Sequence, residues 1–342
     1  MSDLTNLINN IPKAELHLHI EGSLEPELMF SLAKRNNLTL PYSSVEEIRQ
    51  AYDFTQLQDF LDIYYAGMSV LIEEQDFYDL TMAYLNKCQQ DNVRHVEIFF
   101  DPQGHTGRGV SFATALGGIN RALKDGLEQF GISYKTIMCF LRHLSEQDAF
   151  ATLNEAKQYL ELIDGVGLDS SEVGNPPSKF KNVFAEAKSL GLKLVAHAGE
   201  EGPPEYVEEA LSLLKIDRLD HGNRALESES LIKKLRDEQI ALTVCPLSNL
   251  KLCVVSDLSE HPMISMLDHG LLATVNSDDP SYFGGYMNDN YHALHEKLGL
   301  NKQQIIQLAK NSFIGSFLSE QEKQKYLAEV DNYLVKNDAQ TA

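Results

Sequence analysis

The sequence predicts an α/β chain folded as a (β/α)8 barrel, the TIM barrel, with extra helices after strand one and a helical C-terminal tail. Three observations predict it. Eight short runs rich in Val, Ile, Leu and Phe recur along 342 residues, as expected of parallel strands buried on both faces. Helical patterns fill most of the gaps between those runs. No glycine-rich phosphate loop follows the first run, which favours a closed barrel over an open doubly wound sheet.

The first strand is read at residues 14–20, Ala14-Glu15-Leu16-His17-Leu18-His19-Ile20. The span 24–92 is too long for one crossover, and Phe60, Ile63, Tyr64, Met68, Leu71 and Ile72 recur at helical spacing, so several helices are expected there. Strand two is read at 95–100, His95-Val96-Glu97-Ile98-Phe99-Phe100, and strand three at 134–141. The remaining strands are read at 166–170, 193–198, 217–221, 240–245 and 271–277. Helices are expected at 111–130, 146–163, 178–190, 203–214, 227–237 and 301–318, with the C-terminal helices running from about 301 to 336. No linker rich in Pro, Gly or Ser, low-complexity tract or exact repeat interrupts the chain. Residues 1–342 are therefore expected to form one domain carrying a helical insertion at about 24–92.

Composition narrows the function. A hydrophobic fraction of 43% and a charged fraction of 23% are ordinary for a soluble globular chain. The formal charge of −21 argues against a nucleic-acid backbone as partner, since that needs clustered Lys and Arg. No apolar run approaches the roughly 18 residues of a membrane span. Met1 to Asn10 lacks the basic flank and apolar stretch of a signal peptide. Cys88, Cys139, Cys245 and Cys253 form no Cys-x-x-Cys pair. Cys139 and Cys245 lie in apolar runs, so buried thiols and a reducing cytoplasm are expected. The oligomeric state is not legible.

The chemistry lies at the strand ends. His17 and His19 are two residues apart on a strand and therefore point to the same face. His197 ends the fifth strand with Ala198, Gly199 and Glu200 after it, His221 ends the sixth, and Asp278 and Asp279 end the eighth. A barrel gathers such residues at its C-terminal rim. Singly, each has a structural reading: a hydrogen-bonded histidine, a helix-capping Glu200, a turn at Asp278-Asp279-Pro280. Jointly, four coincident clusters point to a metal. His17, His19, His197 and Asp278 offer three neutral ligands and one anion, a set suited to zinc and other borderline metals, which makes bound water a nucleophile near neutral pH. His95, His105, His143, His261, His269, His292 and His295 are expected at the surface or outside the ligand set.

The spaced motifs His17-Leu18-His19-Ile20-Glu21-Gly22, His197-Ala198-Gly199-Glu200, Leu219-Asp220-His221-Gly222 and Ser277-Asp278-Asp279-Pro280 resemble the adenosine/adenine deaminases of the amidohydrolase superfamily, over about residues 10 to 330. The resemblance implies one Zn2+ per subunit and replacement of the 6-amino group of a purine by oxygen. It implies that His17, His19, His197 and Asp278 bind the metal, that Glu200 protonates purine N1, that His221 lies beside the reacting water, and that Asp279 bonds N7. A raised Glu200 pKa from burial beside the purine suits that role.

Two departures bear on the substrate. Glu21 stands where typical adenosine deaminases carry aspartate, and its longer side chain is expected to intrude on the ribose volume. Asp169-Ser170-Ser171-Glu172 stands where they carry a glycine, so Ser171 and Glu172 join the expected substrate-binding set, Glu172 accepting from N9–H or bonding N3. The segments Phe99-Phe100-Asp101-Pro102-Gln103 and Ser170 to Pro177 resemble the adenine deaminase branch. That likeness implies conversion of adenine to hypoxanthine and ammonia in purine salvage, with a small purine base as partner and neither nucleic acid nor membrane. The alternatives are a deaminase of adenosine or another substituted adenine, an amidohydrolase attacking an amide or ester, and a non-catalytic zinc-binding protein.

Overall fold

The computed structural model describes residues 3–54 and 57–341, so the ends of the expected 1–342 unit and residues 55–56 of its insertion lie outside the described residues. Eight parallel strands form the barrel: β1 Lys13–His19, β2 Val93–Phe100, β3 Ser133–Leu141, β4 Gly165–Asp169, β5 Lys193–Ala198, β6 Arg218–His221, β7 Ala241–Val244 and β8 Leu272–Val275. Each pairs with the next in sequence order. Closure comes from beyond β8, where the His19 amide donates to the Asp278 carbonyl at 3.0 Å and the Asp278 amide to the His17 carbonyl at 3.1 Å. The Asn276 side chain also accepts from the Leu16 amide at 2.8 Å. The metal-ligand candidates of β1 and Asp278 are thus stitched into the seam that shuts the barrel.

Strand boundaries all fall within two residues of expectation, and the eighth strand stops at Val275. The segment 24–92 holds helices Pro26–Arg35, Val45–Ala51, Leu57–Gly67 and Glu74–Gln90. Glu74–Gln90 lies directly on Phe112–Phe130 because Gly118 has no side chain; a Cβ there would meet the Glu74 carbonyl oxygen at 2.2 Å. Two expected helices are interrupted. The 146–163 helix ends at Ala156, and the turn that follows contains a non-helical Tyr159. The 203–214 helix loosens after Glu209 into a wider turn closed by Lys215 in the left-handed conformation. The tail comprises Lys302–Ile314 and Glu320–Thr341. The first helix is tied to the barrel by the Asn311 amide group on the Ala273 carbonyl at 2.8 Å, the second by Tyr326 stacked on Phe313. Among the described residues no helix is long and apolar enough to cross a membrane.

One large apolar core lies between strands and helices, and a small one of Phe99, Ile137, Cys139 and Val195 fills the barrel, with Phe317 beneath it. Below sits a buried charge network. Arg218 donates to Glu97 and, at 2.8 Å, to the Leu16 carbonyl. His95, inside β2, lies 3.0 Å from Glu97. Burial alone would raise the Glu97 carboxyl, but the Arg218 charge and the His95 bond outweigh it and hold the group at about 2. A carboxyl depressed from 4.5 stabilises the fold above the unfolded value and loses that contribution as pH falls through 4.5 toward 2. Glu97→Gln is expected to destabilise the protein at neutral pH by about 3–5 kcal/mol, since it strands Arg218. In denaturant titrations its stability should also fall less than wild type's across that acid window; parallel curves would contradict the assignment.

Candidate active site

Residues just past the strands bend their side chains into the barrel mouth, and three do so in the left-handed backbone region: Ser170, His221 and Asp278, with φ of 73°, 62° and 63°. Non-glycine residues pay for that conformation and cluster at functional sites. The structure brings His17, His19, His197, His221 and Asp278 together. The His17 Nε2 lies 3.1 Å from Asp278 Oδ1, and the His19 and His197 Nε2 atoms are 3.1 Å apart. His19 Nε2 is 3.6 Å from the same Asp278 oxygen.

Hydrogen bonding fixes which of these atoms are lone pairs. The Thr243 hydroxyl donates to Asp220 at 2.8 Å, so it accepts from His17 Nδ1 at 2.9 Å. With the Nδ1 proton given to Thr243, a neutral His17 presents its Nε2 lone pair to a carboxylate oxygen 3.1 Å away, and a cation between the two satisfies both, so the residues fit a metal. His19 and His197 each have a carboxylate on the Nδ1 side of the ring without a hydrogen bond to it: His19 Nδ1 lies 3.4 Å from Asp169, and His197 Nδ1 lies 3.7 Å from Asp220. Carboxylates behind imidazoles are how metal-ligating histidines are oriented. His221 differs. Its Nδ1 has no hydrogen-bond partner, and its Nε2 faces Glu200 at 3.6 Å and the second Asp278 oxygen at 3.8 Å. It is close enough to ligate but has no carboxylate beside its Nδ1, as the other three do.

Burial, then the charges of Asp278, Glu172 and Glu201, push the Glu200 carboxyl well above its usual range, and its Oε1 is unpartnered. The group carries a proton it can give. Burial and Asp278 likewise raise Asp279. Burial lowers the His221 imidazole to about 3, keeping it neutral. Asp279 reaches the site because residue 22 is glycine; a Cβ there would overlap the Asp279 carboxyl at 1.9 Å.

Above this cluster opens a pocket with ≈ 400 Å³ of empty space, its mouth open to solvent included. Helix Leu57–Gly67 supplies one wall through Leu57, Phe60, Leu61, Tyr64 and Tyr65, and Leu252 and Phe283 face it. Polar lining comes from His19, His197, Glu200, His221, Asp278 and Asp279, and from Asp101, Asp169 and Ser170.

Three expected substrate contacts, Glu21, Ser171 and Glu172, lie outside the pocket lining. Glu172 lies outside that lining: it accepts from the amides of Gly199, Glu200, Glu201 and Gly202 at 2.7, 3.1, 2.9 and 2.8 Å. It holds the loop that carries Glu200. Glu21 is completely buried and turned away, accepting from His105 Nε2 at 2.7 Å and the Asp101 amide at 3.1 Å. His105 sits in a short helix, Pro102–Thr106, rather than a loop. Ser171 gives way to Ser170, because the left-handed turn at Ser170 sends its own hydroxyl to the pocket, 3.0 Å from Tyr65 and 2.8 Å from His143.

Asp101, Asp169, Asp220 and Thr243 carried no assigned role in the sequence. A signal was present: each is polar within or just after a strand whose neighbours are apolar, a place where a side chain faces inward.

Comparison with known proteins follows this geometry. A family model described as "Adenosine deaminase" matches residues 12–333. A protein of Sphingopyxis alaskensis named "Adenine deaminase" is 63% identical over 326 residues, 95% of this chain and 96% of its own. One of the same name from Acinetobacter baylyi is 60% identical over 327 residues, covering 96% and 98%. The crystal structure of adenine deaminase from Arthrobacter aurescens superposes with a TM-score of 0.93 at 49% identity, over 95% of this chain and 99% of that one.

Proposed function

Because this chain belongs to the adenosine deaminase family and is an enzyme, we propose that it hydrolyses adenine to hypoxanthine and ammonia with the help of one zinc ion. His17, His19, His197 and Asp278 would hold the ion, which supplies a Lewis acid that makes water nucleophilic near neutral pH. The observation that carries this reading is the donor set itself: His17 Nε2 facing Asp278 at 3.1 Å, with His19 and His197 Nε2 opposed at the same distance, beside a buried His221 and a Glu200 carboxyl raised by burial. The shared name of relatives at 57–63% identity supports adenine as substrate.

Each remaining residue then has a task. As oxygen bonds to C6, the ring's C6–N1 electron pair moves onto N1, and Glu200 gives N1 its proton. His221, neutral and facing both Glu200 and Asp278, takes or steers the water's proton. Asp279 keeps its own proton and donates to N7. The carbon–nitrogen bond to the amino group then breaks as the oxygen forms a carbonyl with C6 and its remaining hydrogen returns to Glu200; the proton that His221 took passes to the amino nitrogen, which departs as ammonia. The aromatic wall of Phe60, Tyr64 and Phe283 covers the ring and excludes bulk water. In this reading the barrel, its insertion and its tail act as one domain, and the enzyme serves purine salvage in the cytoplasm.

Steady-state assays of adenine and adenosine side by side, with metal analysis of the same sample, test the proposal. Adenine should be favoured in kcat/KM by at least about 10²-fold, with zinc near one per chain. Comparable efficiency on adenosine would overturn the base preference, and no turnover of either would overturn the reaction.

A further inference from the structure

A free purine base differs from its nucleosides by one polar hydrogen: N9 carries H where a nucleoside carries carbon. A site selective for the base needs an acceptor at that edge, and the two acidic side chains expected to govern it are engaged elsewhere. Glu172 accepts from four amides, Glu21 accepts through Oε1 from His105 and the Asp101 amide, and neither lines the pocket. Asp169 lines the pocket with neither oxygen hydrogen-bonded, but it stands 3.4 Å from His19 Nδ1, beside a metal-ligand candidate.

Asp101 remains. It follows β2, lines the pocket, and is only 2% exposed. Its Oδ1 has no hydrogen-bond partner, and its Oδ2 lies 3.4 Å from the Tyr64 hydroxyl on the pocket-covering helix. The side chain is held for use. Its amide donates to Glu21 Oε1 at 3.1 Å; His105 donates to the same oxygen at 2.7 Å, and Arg108 braces the other ring nitrogen at 2.8 Å. Asp101, Asp169 and His19 place ligand atoms within 4.8 Å of one another. His19 points Nε2 at His197 and Nδ1 at Asp169. Asp101 therefore belongs to a group set apart from Glu200 and His221, away from the reacting carbon. A buried acceptor without a partner is costly, and a bound base carrying N9–H would satisfy it.

Resting on the adenine reading above, we propose that Asp101 is the specificity-determining residue that accepts the N9–H of the free base and rejects adenines substituted at N9. A carboxylate and the carbonyl of a carboxylic acid both accept an N–H, so either protonation state serves. A carbon at N9 leaves the Asp101 oxygen buried and unpaired, which is how hydrogen-bonding sites discriminate strongly against analogues lacking the donor.

The test compares kcat/KM for adenine and 9-methyladenine in wild type, Asp101→Ala and Asp101→Val, with bound metal and melting temperature measured for each. Valine is near aspartate in volume and offers no acceptor, so it reads the same effect should the alanine variant fail to fold. Wild type should strongly prefer adenine, and the folded variants should lower that preference by at least about 10²-fold. The loss should fall mainly on KM for adenine, since the contact is made before and during reaction alike. A preference unchanged in a folded, metal-replete variant would overturn the role of Asp101. Wild type with no activity on adenine would overturn the substrate reading beneath it, and is told apart because it appears before any substitution.

Discussion

Replacing Glu200 by glutamine is expected to lower kcat on adenine by at least about 10²-fold while the protein keeps its metal and its fold. Glutamine preserves the volume of the side chain. It also leaves untouched the four backbone amides by which Glu172 holds the loop. What it removes is an acidic proton. The pocket is built to keep that proton: the carboxyl is buried, flanked by Asp278 and Glu172, and pushed well above the ordinary carboxylate range. An amide N–H can still bond N1 in the ground state but cannot transfer its hydrogen as electron density builds there. The loss should therefore appear in kcat more than in KM. Near-wild-type turnover with intact metal content would remove Glu200 as the acid.

Stripping the metal with a chelator is expected to abolish turnover, by at least about 10³-fold, the equivalent of several kcal/mol of lost transition-state stabilisation. It should also lower the melting temperature, and added Zn2+ should restore both. The physical ground is the lone-pair arrangement. Thr243 fixes the proton of His17 on Nδ1, leaving Nε2 against the Asp278 oxygen at 3.1 Å, and His19 and His197 oppose their Nε2 atoms at the same distance. All four side chains are almost fully buried, so bulk water screens them little. A ligand bound only by the folded state stabilises it by roughly 4 kcal/mol at a thousand times its Kd. Turnover that survives complete removal of metal would refute the zinc reading outright.

The Glu200 variant, removal of the metal and the Asp101 series probe different depths of the pocket. Glu200 and the metal ligands act where bonds change; Asp101 acts at the distant edge of the ring. Their effects should separate accordingly, kcat for the first and the ratio between substrates for the second.

Much of this was legible in the chain. Alternation of apolar runs with helical patterns specifies eight strands and the helices between them, because periodicity is local and each strand is buried on both faces. Polar residues concentrated at the ends of those runs point to the rim, because a barrel aligns its strand ends whatever their separation in sequence. His17 and His19 share a face for the same local reason. Two other features depended on partners far along the chain. Whether the strands close rested on amides and carbonyls of β1 meeting Asp278, about 260 residues away. Which acidic side chain faces the pocket rested on what else lay within reach of it. Glu172 found the Gly199–Gly202 amides, Glu21 found His105, and a left-handed turn exchanged Ser171 for Ser170. Residue type states what a side chain can bond; only the folded neighbourhood decides which bond it makes, because buried donors and acceptors must be satisfied by whatever the tertiary structure brings to them.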